Sequence, residues 1–184
     1  MSQETYQLSI CGYPTELPVL PLPNGVRICF FNLHGNPGLT EHCGKELAKY
    51  LADCDVLLTA ESKGLQLTHV IARELGHPYY AVARKSKKLY MQDGIEVEYG
   101  SSITTGKAQK FYLSKHDVDL LRGKKVGIVD DVVSTGNSLS GMEEVVRRAG
   151  GIIYKKAFVL AEADAKDRDD VIYLASIPVF PPEK

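Results

Sequence analysis

Short apolar runs alternate with amphipathic stretches along most of the chain, and that alternation predicts strands and helices in turn. Residues 56–59 form a near-continuous apolar run of strand length, and residues 65–75 carry apolar side chains at helical spacing. Gly76-His77-Pro78 stops that helix, and residues 79–83 read as the next strand. A strand at 111–113 and a short helix near 117–121 follow. Residues 125–129 are rich in β-branched side chains, which suits a buried parallel strand. Residues 139–149 then read as a helix ended by Gly150-Gly151, and 152–161 as a strand. Upstream, residues 41–51 have helical spacing behind a Pro37-Gly38-Leu39-Thr40 turn that offers an N-cap. The opening, to about Asn36, reads as irregular and punctuated by Pro14, Pro18, Pro21 and Pro23, with one strand at 27–31. The stretch from Arg84 to Lys110 reads as basic and flexible. Strands alternating with helices imply an α/β fold, a mainly parallel sheet covered on both faces.

Bulk properties narrow the class. With 184 residues the chain suits one α/β domain with a real core, an irregular segment over 1–36 and a core over 37–184. A net charge of −1 argues against a nucleic-acid surface, which wants a clear excess of Lys and Arg. Cys11, Cys29, Cys43 and Cys54 lack the paired spacing of zinc sites and read as reduced thiols, which points to the cytoplasm. No signal peptide is expected from the first residues, and no apolar run has the length of a membrane span. His34, His42, His69, His77 and His116 match no ligand or triad spacing.

Chemistry concentrates after residues 125–129. Asp130 and Asp131 fall at the carboxyl end of that strand, where open α/β sheets bind their ligands. Val132 and Val133 lead into Ser134, Thr135, Gly136, Asn137 and Ser138, a turn of hydroxyls and glycine that opens a helix. Glycine permits close approach of the backbone to an anion, and the helix start directs N–H groups and a positive dipole end at it. Two carboxylates beside an anion site need another partner, such as a vicinal diol or a magnesium ion. The order therefore fits a phosphorylated sugar. Glu61, Ser62, Lys63 and Gly64 repeat the arrangement, strand then tight polar turn then helix, and offer a second anion site. Arg84-Lys85-Ser86-Lys87-Lys88 is a basic run which, on its own residues, reads as a solvated face.

The segment from Val126 to Leu139 resembles the phosphoribosyl pyrophosphate (PRPP) signature of type I phosphoribosyltransferases. That resemblance extends over roughly residues 24–180 and implies that family's fold, with a small N-terminal hood. It implies that Asp130 and Asp131 hold the ribose hydroxyls and that Val132 to Ser138 surround the 5′-phosphate. Glu61-Ser62-Lys63-Gly64 resembles the pyrophosphate loop of the adenine-specific branch. Arg84 and Lys85, with Lys88 behind them, resemble the basic cluster that meets leaving pyrophosphate and, in that branch, reaches a neighbouring subunit. A homodimer and substrate-held Mg²⁺ are thus implied, with PRPP and a purine as partners and neither nucleic acid nor membrane.

Two parts of the resemblance depart from the pattern. The branch carries Glu-Tyr-Gly-Lys-Ala in a mobile catalytic loop, whereas this chain has Glu98-Tyr99-Gly100 and a separate Lys107-Ala108 after Thr104-Thr105-Gly106. Either Glu98 still handles the purine proton on a longer loop, or the Thr-Thr-Gly pattern follows xanthine-type enzymes. Gly25-Val26-Arg27-Ile28-Cys29-Phe30 keeps the Gly-Val of the base-binding hood and loses its Arg-Asp, leaving Val26 and Ile28 as base contacts. Ser134 stands where hypoxanthine–guanine enzymes carry an Asp, which points away from them. The implied activity is transfer of ribose 5-phosphate from PRPP to adenine, or secondly xanthine, in purine salvage. The alternative is a non-catalytic PRPP sensor acting through a partner.

Overall fold

The proline-punctuated opening is β-structure. In the computed structural model, which describes residues 4–101 and 108–182, β1 (Thr5–Ile10) and β2 (Tyr13–Pro21) form an antiparallel hairpin. Its turn is Cys11-Gly12, with φ of 49° and 89°, the left-handed pair that matches strand twist in a tight hairpin. The prolines are tolerated because a strand also pairs through its carbonyls: Pro18 accepts from the Phe30 N–H at 2.8 Å. β3 (Arg27–Cys29) pairs with β2.

The first helix, α1 (Pro37–Leu51), starts earlier than its apolar spacing predicts. Asn36 caps it, accepting from the Leu39 N–H at 3.1 Å, and Pro37 supplies a preset first-turn φ. Thr40 is not the cap; its hydroxyl donates to the Asn36 carbonyl at 2.7 Å. β4 (Val56–Ala60) is buried throughout, and α2 (Leu65–Leu75) ends at left-handed Gly76. β5 (Ala81–Ala83) is shorter than predicted, leaving Tyr79 exposed. The stretch expected to be a flexible loop carries an antiparallel pair, β6 (Ile95–Ser101) and β7 (Ala108–Leu113). Thr104, Thr105, Gly106 and Lys107 lie outside the described residues.

α3 (Lys115–Leu121) is capped by Ser114 and leads to β8 (Lys125–Val133). α4 (Asn137–Arg148), β9 (Ile152–Glu162), a 3-10 turn (Ala163–Asp167), β10 (Ile172–Ile177) and β11 (Val179–Phe180) complete the chain. The central sheet runs β10-β9-β8-β4-β5, every pair parallel. A smaller sheet, β1-β2-β3-β11, forms the hood.

Helices cover both faces of the central sheet, which is the α/β arrangement expected. Leu57, Val129 and Val159 pack with Leu47, Leu51, Leu67 and Ile71 of α1 and α2, and hood residues Ile10 and Leu17 join that core. Leu58, Ile128 and Phe158 pack on the other face with Met142 and Val145 of α4. Adjacent residues such as Leu57 and Leu58 thus serve opposite cores, which explains why these strands are apolar without alternation. No helix among the described residues is long and apolar enough to cross a membrane.

Candidate functional site

The site forms at the carboxyl end of β8 and β4. Asp130 and Asp131 lie inside β8 rather than beyond it, because the strand continues past the apolar run to Val133, paired with Ala161. Each carboxylate keeps one oxygen on the backbone: Asp130 Oδ1 accepts from the Asp131 N–H at 2.9 Å, and Asp131 Oδ1 from the Val132 N–H at 2.9 Å. Asp131 is 6% exposed, and its Oδ2 is buried without a hydrogen-bond partner among the described residues. The closest cation is Lys63, its Nζ 3.6 Å from that oxygen. A buried acceptor left open at a cleft floor is a place for an incoming donor or cation.

Burial, then the charge of Asp131, pushes Asp130 up to about 7. Asp131 is also raised by burial, although Lys63 opposes the shift. This has a consequence for stability. The folded value of Asp130 lies above its ordinary 3.8, so folding favours the protonated form. Its contribution is largest below 3.8, is lost as pH climbs towards about 7, and is flat above that. We expect the melting temperature of the ligand-free protein to fall between about pH 5 and pH 7, and Asp130→Asn to remove most of that fall. A variant with the wild-type slope would assign the titration elsewhere.

The Ser134-to-Ser138 turn leads into α4 through Gly136, whose φ of +83° favours glycine. No side chain caps α4, so its first N–H groups are left for an anion. A cleft of about 320 Å³ lies here, lined by Asp130 and Val132 to Leu139 together with Gln109, Met142 and Phe158. Ser134 Oγ donates to Glu162 Oε2 at 2.6 Å.

The 61–64 turn mirrors this construction. Gly64 precedes α2, again with no side-chain cap, and a Cβ there would lie 2.2 Å from Thr59 Oγ1 and 3.0 Å from Asp130 Oδ1. Only glycine lets this turn sit against the acids. A cavity of about 390 Å³ is lined by Glu61, Ser62, Lys63, Lys85, Asp130, Asp131, Ser134 and Ser138 among others, and shares Asp130, Val132, Ser134 and Ser138 with the first. Glu61 faces the basic cluster: its carboxylate accepts from the Lys85 N–H at 3.3 Å and lies 3.7 Å from the Arg84 guanidinium. Glu61 therefore anchors the Lys85 backbone and pairs with the Arg84 guanidinium. Arg84 also donates to the Tyr90 hydroxyl at 3.0 Å.

Glu98, Lys88, Val26 and Ile28 are not brought into the cleft, and Arg84 does not line it but pairs with Glu61, which does. Glu98 is 61% exposed on its side chain and pairs with Lys110 at 2.9 Å, which holds its carboxyl below the usual range. Its neighbour Tyr99 faces inward instead, stacked on Phe111 with 4.2 Å between ring centroids. A Cβ at Gly141 of α4 would stand 2.6 Å from that ring. The Lys88 N–H goes to Met91 Sδ at 3.4 Å, outside the cavity. The Val26 carbonyl accepts from the Leu22 N–H, and Ile28 pairs with Leu20 and Val179 in the hood sheet. The hood residue that does approach is Phe30, 40% exposed, with Lys63 Nζ 5.3 Å from its ring centre. The sequence alone does not mark Phe30, Gln109 or Glu162 as site residues, since each reaches the site from a distant element.

Comparison with known proteins points to one family. The family model described as "Phosphoribosyl transferase domain" matches residues 32–177. An adenine phosphoribosyltransferase of Methanococcus maripaludis is 32% identical over 136 residues, 73% of this chain and 75% of the relative. A xanthine phosphoribosyltransferase of Bacillus cereus is 32% identical over 137 residues, 70% of this chain and 68% of the relative. Among solved structures, adenine phosphoribosyltransferase from Thermoanaerobacter pseudethanolicus superposes with a TM-score of 0.71 at 24% identity, over 87% of this chain and 95% of that one. At that identity the likeness concerns the fold.

Proposed function

The chain belongs to the phosphoribosyl transferase domain family, and from that premise we propose that it transfers the 5-phosphoribosyl group of PRPP to a purine base, releasing pyrophosphate. One observation carries the reading: two helix starts without a side-chain cap flank the half-buried Asp130 and the buried Asp131, and one Asp131 oxygen has no hydrogen-bond partner among the described residues. PRPP has that same order of parts, with a diol between a monophosphate and a pyrophosphate. The N–H groups of α4 and the hydroxyls of Thr135 and Ser138 take the 5′-phosphate. Asp130 and Asp131 accept the ribose hydroxyls. The 61–64 turn and Lys85 meet the pyrophosphate, with Arg84 beside them, held by Glu61.

As the glycosidic bond breaks, negative charge grows on pyrophosphate, and fixed cations and N–H groups stabilise it without reorganising. The open Asp131 oxygen fits Mg²⁺ as well as a hydroxyl, and the ion would be held by Asp130 and Asp131 together with substrate oxygens. When bound, Mg²⁺ adds charge neutralisation at the leaving group. Glu98 pairs with Lys110 on an exposed strand face, which favours another group for the purine proton.

Adenine is the first base and xanthine the second, as the similar enzymes are adenine and xanthine phosphoribosyltransferases. Phe30 is the hood side chain best placed to stack on a purine. A homodimer through residues 79–90 is supported by the exposed Tyr79, Leu89 and Tyr90 next to the basic cluster. Four free thiols, three of them buried, support a reducing, cytoplasmic setting. The test is pyrophosphate release with PRPP and Mg²⁺: adenine should drive it fastest, xanthine more slowly and orotate not at all. Equal rates with and without base would overturn the transferase reading.

A further inference from the structure

A transferase of this kind must dispose of one proton. Neutral purine carries a proton on its imidazole ring, and the nucleotide formed by attack through N9 cannot keep it. With Glu98 turned outward, another group has to receive it. We propose that Glu162 is that group, a catalytic residue facing the purine, with Ser134 as its positioning residue. The inference rests on the purine transfer proposed above.

Glu162 is the last residue of β9, level with Ile177 of β10 and one step beyond the Val133–Ala161 pair. It therefore stands at the same carboxyl edge as the two acids. Ser134 lines both cavities, and its hydroxyl donates to Glu162 Oε2 at 2.6 Å, which leaves Oε1 for a ligand. Among the described residues no Lys, Arg or His forms an ion pair with Glu162, whereas Glu61, Glu98 and Asp131 each face a cation. Such a carboxylate repels phosphate and pyrophosphate, so the base is the part of the substrate it can face. Its direction agrees. After burial, the charge of Glu162 is the next cause raising the Cys29 thiol of β3, so the carboxylate lies within electrostatic reach of the hood. The next residue, Ala163, has φ +52°, a strained conformation for alanine that turns the chain sharply here.

The N9 lone pair of the purine forms the bond to C1′ while the C1′–O bond breaks, and that bonding pair leaves on pyrophosphate. The proton on N7 passes to the Glu162 carboxylate and then to water, and the Ser134 hydroxyl fixes the carboxylate throughout.

The experiment compares wild type, Glu162→Gln and Glu162→Asp for adenine turnover and for PRPP binding by calorimetry. Glutamine keeps the shape and the acceptor for Ser134 but takes no proton. We expect kcat to drop about 100-fold, the lower range for a lost general base, with PRPP affinity unchanged and partial recovery in Glu162→Asp. With 8-azaadenine, whose ring proton is more acidic, the Glu162→Gln loss should shrink. Full turnover in Glu162→Gln, equal losses with both bases, or PRPP affinity falling in step with kcat would overturn the assignment. A wild type inactive with every purine would instead remove the purine reading on which it rests.

Discussion

Replacing Asp131 by Asn should weaken PRPP binding about 100-fold, the upper range for losing a hydrogen bond to a charged group. The substitution leaves the backbone bond to the Val132 N–H available, because the amide oxygen can take the place of Oδ1. What disappears is the charged acceptor Oδ2, the atom with no hydrogen-bond partner among the described residues. The same change should raise the melting temperature by a few degrees. Burial disfavours the Asp131 charge, and Lys63 at 3.6 Å, with 44% of its side chain exposed, offsets little of that. Affinity and stability are thus expected to move in opposite directions. Calorimetry with PRPP and a thermal melt check both, and unchanged affinity would remove Asp131 from the ribose site.

Gly64→Ala should be the more damaging change to the framework. The φ of Gly64, −79°, suits any residue, so the objection is space rather than conformation. Its Cβ would stand 2.2 Å from Thr59 Oγ1, 3.0 Å from Asp130 Oδ1 and 3.3 Å from Asp130 Cα. Rotating Thr59 relieves only the first contact, so the turn itself must retreat from β8. Overpacking of this kind costs about 1–3 kcal/mol, and a shift near 1 Å in a substrate-positioning turn costs about 100-fold in turnover. A thermal melt and steady-state kinetics check the two parts. Wild-type kcat/KM in Gly64→Ala would show that this close approach is not needed.

The sequence made the sugar-phosphate half of the site readable because its parts are contiguous. Asp130 to Ser138 hold the acids, the left-handed glycine and the helix start within nine residues, and each has a local physical signature. The strand before them runs longer than its apolar run predicts, since the acids end that run while the sheet continues to Val133. The hood hairpin was hidden by Pro14, Pro18 and Pro21, although Leu17 and Val19 alternate inward as a strand requires.

The base half was less readable, for a different reason. Glu98 belongs to a Glu-Tyr-Gly triplet, but in a strand with Tyr99 turned into the core its neighbour must turn out. Phe30 follows β3 and Glu162 ends β9, more than a hundred residues later, and no local pattern announces either. Only the sheet order, which sets β9 beside β8 and the hood above them, brings them to one edge.

The central claim is that this cleft performs phosphoribosyl transfer to a purine and does more than bind PRPP. Pyrophosphate release by the purified protein, with PRPP and Mg²⁺ and with or without adenine, tests it most directly. The account predicts release that depends on adenine and matches AMP formation one for one. Tight PRPP binding with no release, with adenine or any other purine, would contradict it and leave the chain as a PRPP sensor.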